Sequence, residues 1–150
     1  MPSSSSEAQK LAEAVVQKMF DADRASQQMG MRVLAIRPGY AQVEMTIRPE
    51  MLNGHATCHG GFVFSLADSA FAFACNSYNF ATVAASCSIE FLAPAYAGDH
   101  LVAEAIEQTV LGRTGVYDVM VRNQKGERIA LFRGRSHRIR GEVVPAGGSD

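Results

Sequence analysis

One nearly unbroken apolar run limits what this chain can fold into. Residues 60–78, GGFVFSLADSAFAFACNSY, carry Phe, Leu and Ala on every side of a predicted helix, which is typical of a helix buried on most of its surface. Two glycines open the run, and one carboxylate, Asp68, lies in its middle. At about 3.6 residues per turn, its polar residues Ser65, Asp68, Ser69 and Asn76 fall on one stripe. The rest of the chain must cover this helix, and the buried acid needs a reason to be there.

The segments around the run predict a sheet that covers it. An amphipathic surface helix precedes the sheet, with apolar residues at helical spacing from Ala8 to Met19. Alternating apolar residues and turn signals then predict strands over residues 31–37, 40–48, 82–91, 100–110, 116–122 and 128–140. Short connections between the late strands indicate antiparallel hairpins. One long helix against one antiparallel sheet is an α+β layer architecture.

The length of the chain predicts one domain over residues 1–150, with loose tails at residues 1–6 and 142–150. The predicted long helix is too apolar for one sheet to cover its far side. We therefore expect two copies of the chain to associate and hide the remainder.

Composition excludes several classes of partner. The net charge of −1 argues against bulk binding to nucleic acid or to an anionic membrane surface. No charge-free apolar run reaches the ~18 residues of a membrane span. The cysteines, Cys58, Cys75 and Cys87, lack C-x-x-C spacing and predict reduced thiols. Together with an N-terminus that lacks a signal-peptide pattern, they favour a cytoplasmic protein.

The helix segment also carries a family likeness. NGHATCHGGFVFSLADSAFAFACN resembles the signature of the hotdog-fold acyl-CoA thioesterases, and its specific part is a His-Gly-Gly with an acid eight residues after the first glycine. CHGGFVFSLAD and the late GERIALFRGRSHRI resemble the phenylacetyl-CoA thioesterase branch of phenylacetic acid degradation. The resemblance runs from about Ala8 to Arg140.

This resemblance implies a hotdog fold, in which an antiparallel sheet wraps a long central helix. It implies a hydrolase of phenylacetyl-CoA or of a hydroxylated relative, with no metal or redox cofactor. It also implies a homodimer with a continuous sheet, commonly paired into a homotetramer, with two active sites at each dimer interface.

The resemblance assigns roles to individual residues as well. Asp68 matches the catalytic carboxylate, and Gly60 matches the backbone N–H that polarises the thioester carbonyl. Asn53 and His59 match loop residues around that glycine. Ser69 stands where the branch often has Thr, a change that removes a methyl group and keeps the hydroxyl.

The residues themselves support this chemistry. A helix start offers unpaired N–H groups and positive partial charge, and glycine lets a carbonyl approach closely, which suits Gly60 and Gly61. Asp68 lies eight residues further on, about 12 Å along the helix axis, whereas reacting atoms must come within about 3–3.5 Å. If both ends act on one substrate, they must belong to different subunits. Asp68 is then a general base or a nucleophile, and the alternative is a structural Asp bonded to backbone.

Neighbouring residues have more than one interpretation. His59 either orients the loop or takes part in catalysis, and Asn53 either holds the loop or binds the acyl carbonyl. Cys58 and His59 are adjacent and therefore point apart, which disfavours a nucleophile pair, and no further ligands at workable spacing support a metal site. Arg133, Arg135 and Lys125 either bind the phosphates of coenzyme A or form a solvated strand face.

Two other functions compete with hydrolysis. A hotdog hydratase or dehydratase would need a His and an acid that act together on one acyl thioester. A non-catalytic acyl-CoA binding module is disfavoured by Asp68, because a site for an anionic ligand gains nothing from a carboxylate.

Overall fold

The computed structural model describes residues 4–145 of the chain. Its elements, in order, are α1 (Ser4–Ala22), α2 (Arg24–Gln28), β1 (Arg32–Arg37), β2 (Tyr40–Thr46), a single 3-10 turn (Pro49–Met51), α3 (Gly60–Asn76), β3 (Phe80–Phe91), β4 (His100–Leu111), β5 (Thr114–Arg122) and β6 (Arg128–Glu142).

The strands form one antiparallel sheet in the order β1-β2-β4-β5-β6-β3. Helix α3 packs against β2, β4 and β5 on one face of this sheet, and α1 packs beside β1 and α3. The predicted α+β hotdog architecture, one long helix wrapped by an antiparallel sheet, is therefore confirmed. Within the described part of the chain, no helix combines the length and the apolar character that crossing a membrane requires.

The core forms where α3 meets the sheet. The alternation predicted for β2 is observed, since Ala41, Val43 and Met45 are fully buried. From α3, the Phe71 ring lies 5.6 Å from Tyr117 and 5.7 Å from Phe132, measured between ring centroids. These tilted aromatic contacts fix the helix over β5 and β6.

The C-terminal end of α3 is tied to β3 by one buried side chain. The Asn76 amide donates to the carbonyl oxygens of Ala72 and Thr82, and its oxygen accepts the Thr82 N–H at 2.9 Å. A buried amide satisfied in this way costs little and fixes the turn between helix and strand. This accounts for the last polar residue of the stripe that the sequence placed on α3.

The expected tails are shorter than predicted. Residues 4–6 belong to the first turns of α1, where Glu7 provides the negative charge that a helix N-terminus favours. Residue 142 ends β6, and the side chain of Asn79 then accepts the N–H groups of Val143 and Val144 and donates to the Val144 carbonyl. The remaining parts of the predicted tails, residues 1–3 and 146–150, lie outside the described residues.

Strand β3 forms one edge of the sheet and is exposed along most of its length. It has 12 residues and pairs with β6 on one side only. Phe80, Val83 and Phe91 on this strand are 43%, 44% and 56% exposed. A long edge strand with apolar side chains is a surface that proteins normally cover.

Gly134 of β6 allows the sheet to approach α3 closely. A Cβ at this position would lie 2.7 Å from Cζ of Phe71, a ring that is fully buried and cannot move away. We expect Gly134→Ala to lower the free energy of unfolding by about 1–3 kcal/mol, because the added methyl group overpacks the core. Urea unfolding measures this change.

The matched control is Gly54→Ala, where nothing lies within 4 Å of an added Cβ. This variant should be as stable as the parent or slightly more so, because alanine restricts the unfolded chain. Equal stability of the two variants would contradict the close contact between Gly134 and Phe71.

Candidate active site

The sequence assigns Gly60 and Asp68 to one reaction, but these two residues border different cavities of the structure. Gly60, at the start of α3, borders a cavity of about 520 Å³, here called the glycine cavity. Asp68, two turns further along, borders a cavity of about 220 Å³ between α3, α1 and α2, here called the acid cavity. The glycine cavity is lined by Cys58, Gly60, Val63, Phe91, Leu92, Ala93, Pro94, Ala95 and Ile129.

The first glycine of α3 has an unused hydrogen-bond donor. His59 caps the helix, and its Nδ1 accepts the N–H of Gly61 at 3.1 Å. Among the described residues, no acceptor is found for the Gly60 N–H. The role expected for Gly61 in substrate binding is therefore weakened, because its N–H is occupied, whereas Gly60 keeps a free donor beside a cavity.

A side chain of β3 packs against Gly60. A Cβ on Gly60 would lie 2.9 Å from Cζ of Phe91, so the absence of a side chain at residue 60 gives the ring its place. Phe91 is more than half exposed, and its ring forms part of the mouth of the glycine cavity. The residue that carries the free N–H is thus in contact with an aromatic ring.

The loop before α3 is held by Asn53. Its side-chain oxygen accepts the N–H groups of His55 and Thr57, and its amide donates to Thr57 Oγ1 at 3.0 Å. The loop is closed further by a bridge between Leu52 and Cys58. Both polar atoms of the Asn53 side chain are used within the loop, which supports the interpretation of Asn53 as the residue that holds this loop.

His59 positions the helix start through its ring. Because Nδ1 accepts the Gly61 N–H, the neutral ring carries its proton on Nε2; this tautomer follows from the hydrogen bond. The His59 backbone N–H donates to the carbonyl of Met51 and joins the loop to the 3-10 turn. These contacts support the loop-orienting role of His59.

Cys58 has the properties of a core thiol. Burial raises the pKa of its thiol to about 11, so the sulfur stays protonated near neutral pH. Its hydrogen bond to the His59 carbonyl oxygen does not involve the ring. Within the described part of the chain, no group of three or more His, Cys, Asp or Glu side chains has the arrangement of a metal site.

Asp68 lines the acid cavity. Among the described residues, none donates a hydrogen bond to its carboxylate, so the structural alternative of an Asp bonded to backbone has no support. Burial raises the pKa of Asp68, and the negative charge of Asp23 raises it further. An unpaired carboxylate in a cavity has the environment of a base or nucleophile rather than of a structural residue.

A chain of hydroxyl groups connects Asp68's neighbour Ser69 to α2. Ser69 Oγ lies 2.8 Å from Ser26 Oγ, and the Ser26 hydroxyl donates to Asp23 Oδ2 at 2.6 Å. Sequence reasoning missed Asp23 and Ser26 because a five-residue helix is too short to show periodicity. The available signal was local: an Asp followed three residues later by Ser fits a capped helix start.

The basic residues expected to meet coenzyme A do not border either cavity. Arg133 forms a two-pronged ion pair with Asp118, at 2.6 and 2.8 Å, and Arg135 contacts Ser86 Oγ at 3.4 Å. Both arginines are exposed between buried residues of β6, so they lie on the sheet face opposite α3. Lys125 lies in the exposed β5–β6 turn. The single protomer does not gather these three residues around one ligand, because strand alternation turns the arginines outward.

Comparison with known proteins identifies enzymes that are similar to this chain in sequence and fold. Residues 55–130 match the thioesterase superfamily. The chain is 48% identical over 126 residues to the acyl-coenzyme A thioesterase PaaI of Escherichia coli strain K12, covering 84% of this chain and 90% of that protein. The solved structure of the E. coli PaaI protein, from the phenylacetic acid degradation operon, superposes with a TM-score of 0.89 at 45% identity, over 90% of this chain and 98% of that one.

A second solved structure is more distant in sequence. A variant of the phenylacetic acid degradation protein PaaI from Thermus thermophilus gives a TM-score of 0.75 at 39% identity, over 78% of this chain and 100% of that one. The helix that carries Gly60 and Asp68, and the sheet on which it packs, therefore belong to a fold that is shared with relatives of 39–45% sequence identity.

The helix cap formed by His59 should contribute to the stability of the fold. We expect His59→Ala to lower the free energy of unfolding by about 0.5–2 kcal/mol, because the Gly61 N–H loses its acceptor. His59→Asn should restore most of this loss, because asparagine is a good N-cap. Urea unfolding of both variants measures the effect.

His55→Ala is the control, since only the backbone N–H of that exposed residue is hydrogen-bonded in the loop. The cap would be unimportant if His59→Ala and His55→Ala unfolded at the same urea concentration.

Proposed function

Since the chain belongs to the thioesterase superfamily, we propose that it hydrolyses acyl-CoA thioesters and that its preferred acyl groups are arylacetyl groups such as phenylacetyl. The observation that carries the proposal is the pairing, on one helix, of an unpartnered carboxylate and an unpartnered N–H, each beside a cavity. Thioester hydrolysis needs both groups. The N–H stabilises the oxyanion, and the carboxylate activates water or attacks the carbonyl.

The two groups belong to different sites of one protomer, which supports a shared active site. Gly60 and Asp68 are separated by eight residues of α3, about 12 Å along its axis. No substrate carbonyl held by the Gly60 N–H can be within about 3–3.5 Å of Asp68 on the same helix. We therefore propose that the Gly60 of one subunit and the Asp68 of a second act on the same substrate.

The exposed edge of the sheet supports the homodimer that such a site requires. Two copies of β3 placed side by side in antiparallel orientation would join two sheets into one, and a two-fold axis makes such pairing self-complementary. The exposed side chains of Phe80 and Val83 would then be covered, as would the unpaired backbone groups of the edge. Association of two such dimers gives the homotetramer that the resemblance implies.

The proposed reaction uses these groups and water. The thioester carbonyl oxygen accepts the Gly60 N–H, and the positive end of α3 stabilises the negative charge that develops there. Asp68 of the other subunit then removes a proton from water as the water attacks, or attacks the carbonyl itself to form an anhydride that water opens. In both versions the thiolate of coenzyme A leaves and takes up a proton.

The glycine cavity suits an acyl group with an aromatic ring. Its lining is mostly apolar, and the Phe91 ring at its mouth offers a face for stacking. For the phosphates of coenzyme A, Arg135 and Lys125 remain the better candidates, because the charge of Arg133 is already paired with Asp118. The free thiols of the chain support a cytoplasmic location, where thiols stay reduced.

The competing hydratase or dehydratase reaction is less well supported. It needs a His and an acid on one substrate, whereas His59 Nδ1 is occupied by the Gly61 N–H and the ring lies at the helix end remote from Asp68. A binding module without catalysis would leave the unpaired Asp68 without a purpose, at the cost of desolvating it.

Replacement of the acid tests the proposed function. With phenylacetyl-CoA as substrate, we expect Asp68→Asn to reduce kcat by about 10²–10⁴, because the variant loses its base or nucleophile. Release of free thiol measures the rate, and a panel of aryl and straight-chain acyl-CoA thioesters ranks the acyl groups. The control, Asp21→Asn, changes an exposed acid of α1 and should leave kcat unaltered.

Near-normal turnover by Asp68→Asn would refute the assignment of this acid. A panel in which straight-chain thioesters turn over faster than all aryl members would refute the proposed acyl class while leaving the hydrolase itself intact.

A mixing experiment tests the shared site. Asp68→Ala removes the acid, and Gly60→Pro removes the N–H with a residue that tolerates the first helical position. The proline Cβ displaces the Phe91 ring, which is more than half exposed and has room to move. The residue before the proline, His59, already has the extended backbone that a following proline requires, with φ −60° and ψ 133°. Each variant alone should be inactive, and heterodimers should regain about one working site of the two, because one of the two sites then unites the intact Gly60 of one subunit with the intact Asp68 of the other.

Tandem purification on two different affinity tags isolates the heterodimers for the thiol-release assay. Heterodimers that are stable and inactive would refute the shared site, and so would a protein that stays monomeric during size-exclusion chromatography yet hydrolyses substrate.

A further inference from the structure

We propose that Asp23 and Ser26 are positioning residues for hydrolysis: they fix the direction of the Ser69 hydroxyl so that its oxygen accepts a hydrogen bond from the water that reacts beside Asp68. This inference rests on the proposed function and extends it to the corner between α1 and α2, outside the long helix.

The direction of the hydroxyl chain follows from counting protons. A serine hydroxyl has one hydrogen to donate, and the Ser26 hydroxyl donates it to Asp23 Oδ2 at 2.6 Å. In its contact with Ser69, at 2.8 Å, the Ser26 oxygen must therefore be the acceptor and the Ser69 hydroxyl the donor. With its one proton used in this way, Ser69 Oγ can only accept from any further partner.

Asp23 is itself held in place. Its Oδ1 accepts the backbone N–H of Ser26 at 3.0 Å, so the same carboxylate caps α2 and binds the Ser26 hydroxyl. Ser26 is buried, at 2% exposure, so its hydroxyl has almost no contact with bulk solvent, and its one proton is already donated to Asp23. The hydrogen-bonded series Ser69–Ser26–Asp23 is therefore fixed at Asp23 by the start of α2, and its other end, Ser69, lies beside Asp68.

The acid cavity contains both the hydrogen-bonded serines and the acid that is proposed to react. Asp23, Ser26, Asp68 and Ser69 all line it, and its volume of about 220 Å³ exceeds the space of a water molecule. A water that donates one hydrogen to the Asp68 carboxylate and the other to Ser69 Oγ has a lone pair left for attack. If the Ser69 hydroxyl turned toward Asp68 instead, it would donate to the carboxylate and compete with the water.

Asp23 also acts on Asp68 through its negative charge, so the pKa of Asp68 reports on the presence of Asp23. Burial and then the Asp23 carboxylate raise the pKa of Asp68. Among the described residues, the other titratable groups that interact with Asp68 are the thiols of Cys75 on α3 and Cys87 on β3, whose pKa values are raised by burial and then by the Asp68 charge. Loss of the Asp23 charge must therefore lower the pKa of Asp68, and the ionised, active form then persists to lower pH.

Four variants separate the charge from the hydroxyl chain. Asp23→Asn removes the charge and keeps a residue that caps helices equally well, but its amide nitrogen replaces one of the two oxygens that accept from Ser26, so it changes the hydroxyl chain as well. The difference between Asp23→Asn and Ser26→Ala therefore isolates the charge. Ser26→Ala breaks the hydroxyl chain and keeps both acids. Ser26→Thr restores the hydroxyl and is the rescue for Ser26→Ala. Asp21→Asn removes an exposed charge two residues before Asp23 and is the control.

The rate of thiol release as a function of pH is the central measurement. We expect Ser26→Ala to lower kcat by about 2- to 10-fold with KM unchanged, the fold-change that corresponds to one hydrogen bond, and Ser26→Thr to recover most of it. We expect Asp23→Asn to move the acidic limb of the profile to lower pH, while Asp21→Asn leaves the limb in place. Titration of the ¹³C-labelled Asp68 carboxyl by NMR, without substrate, should show the same lowered pKa.

The proposal is overturned if Ser26→Ala keeps the parent kcat, if Ser26→Thr loses as much activity as Ser26→Ala, or if Asp23→Asn leaves both the acidic limb and the NMR titration unchanged. Failure of the proposed function has a different signature, because the parent protein would then release no thiol from any substrate. The NMR titration would in that case still decide whether Asp23 and Asp68 interact.

Discussion

The fold depends on covering one helix that is apolar on nearly all sides. Phe71 and Phe73 of α3 are buried against the rest of the protomer, and burial of such side chains stabilises a fold by about 1.5–3 kcal/mol each. The sheet reaches the helix closely because Gly134 has no side chain. The two ends of α3 are then fixed by polar contacts, with His59 at its start and Asn76 at its end. A rigid helix in this setting can hold Gly60 and Asp68 at a constant separation.

A fixed separation between Gly60 and Asp68 gives a reason for placing both proposed reacting groups on the single helix α3. The loop held by Asn53 leads into the start of this helix, and the corner that contains Asp23 reaches its middle through the contact between Ser26 and Ser69. Neither cavity alone has both an oxyanion donor and an acid. The exposed edge strand β3 and the division of the two groups are the features that support the proposed partner subunit.

Much of this arrangement could be predicted from the sequence, because its signals are local and strong. The apolar run predicted α3, and alternation predicted the strands to within a few residues. Alternation also indicated that Arg133 and Arg135 share a face, but it did not show which face met the helix, and Asp118 lies too far along the chain for the pairing to be visible. The contact between Ser26 and Ser69 joins residues 43 positions apart, so only the folded chain reveals it.

Phe91 at the mouth of the glycine cavity has a consequence for how such a protein diverges. The ring is more than half exposed and belongs to no part of the buried core, yet it lies directly against the residue that presents the free N–H. A descendant chain can exchange this side chain for a smaller or more polar one while the scaffold and the reacting groups stay as they are. For the proposed active site, new acyl preferences are therefore accessible through substitution of this one residue at the cavity rim, without unstable intermediates.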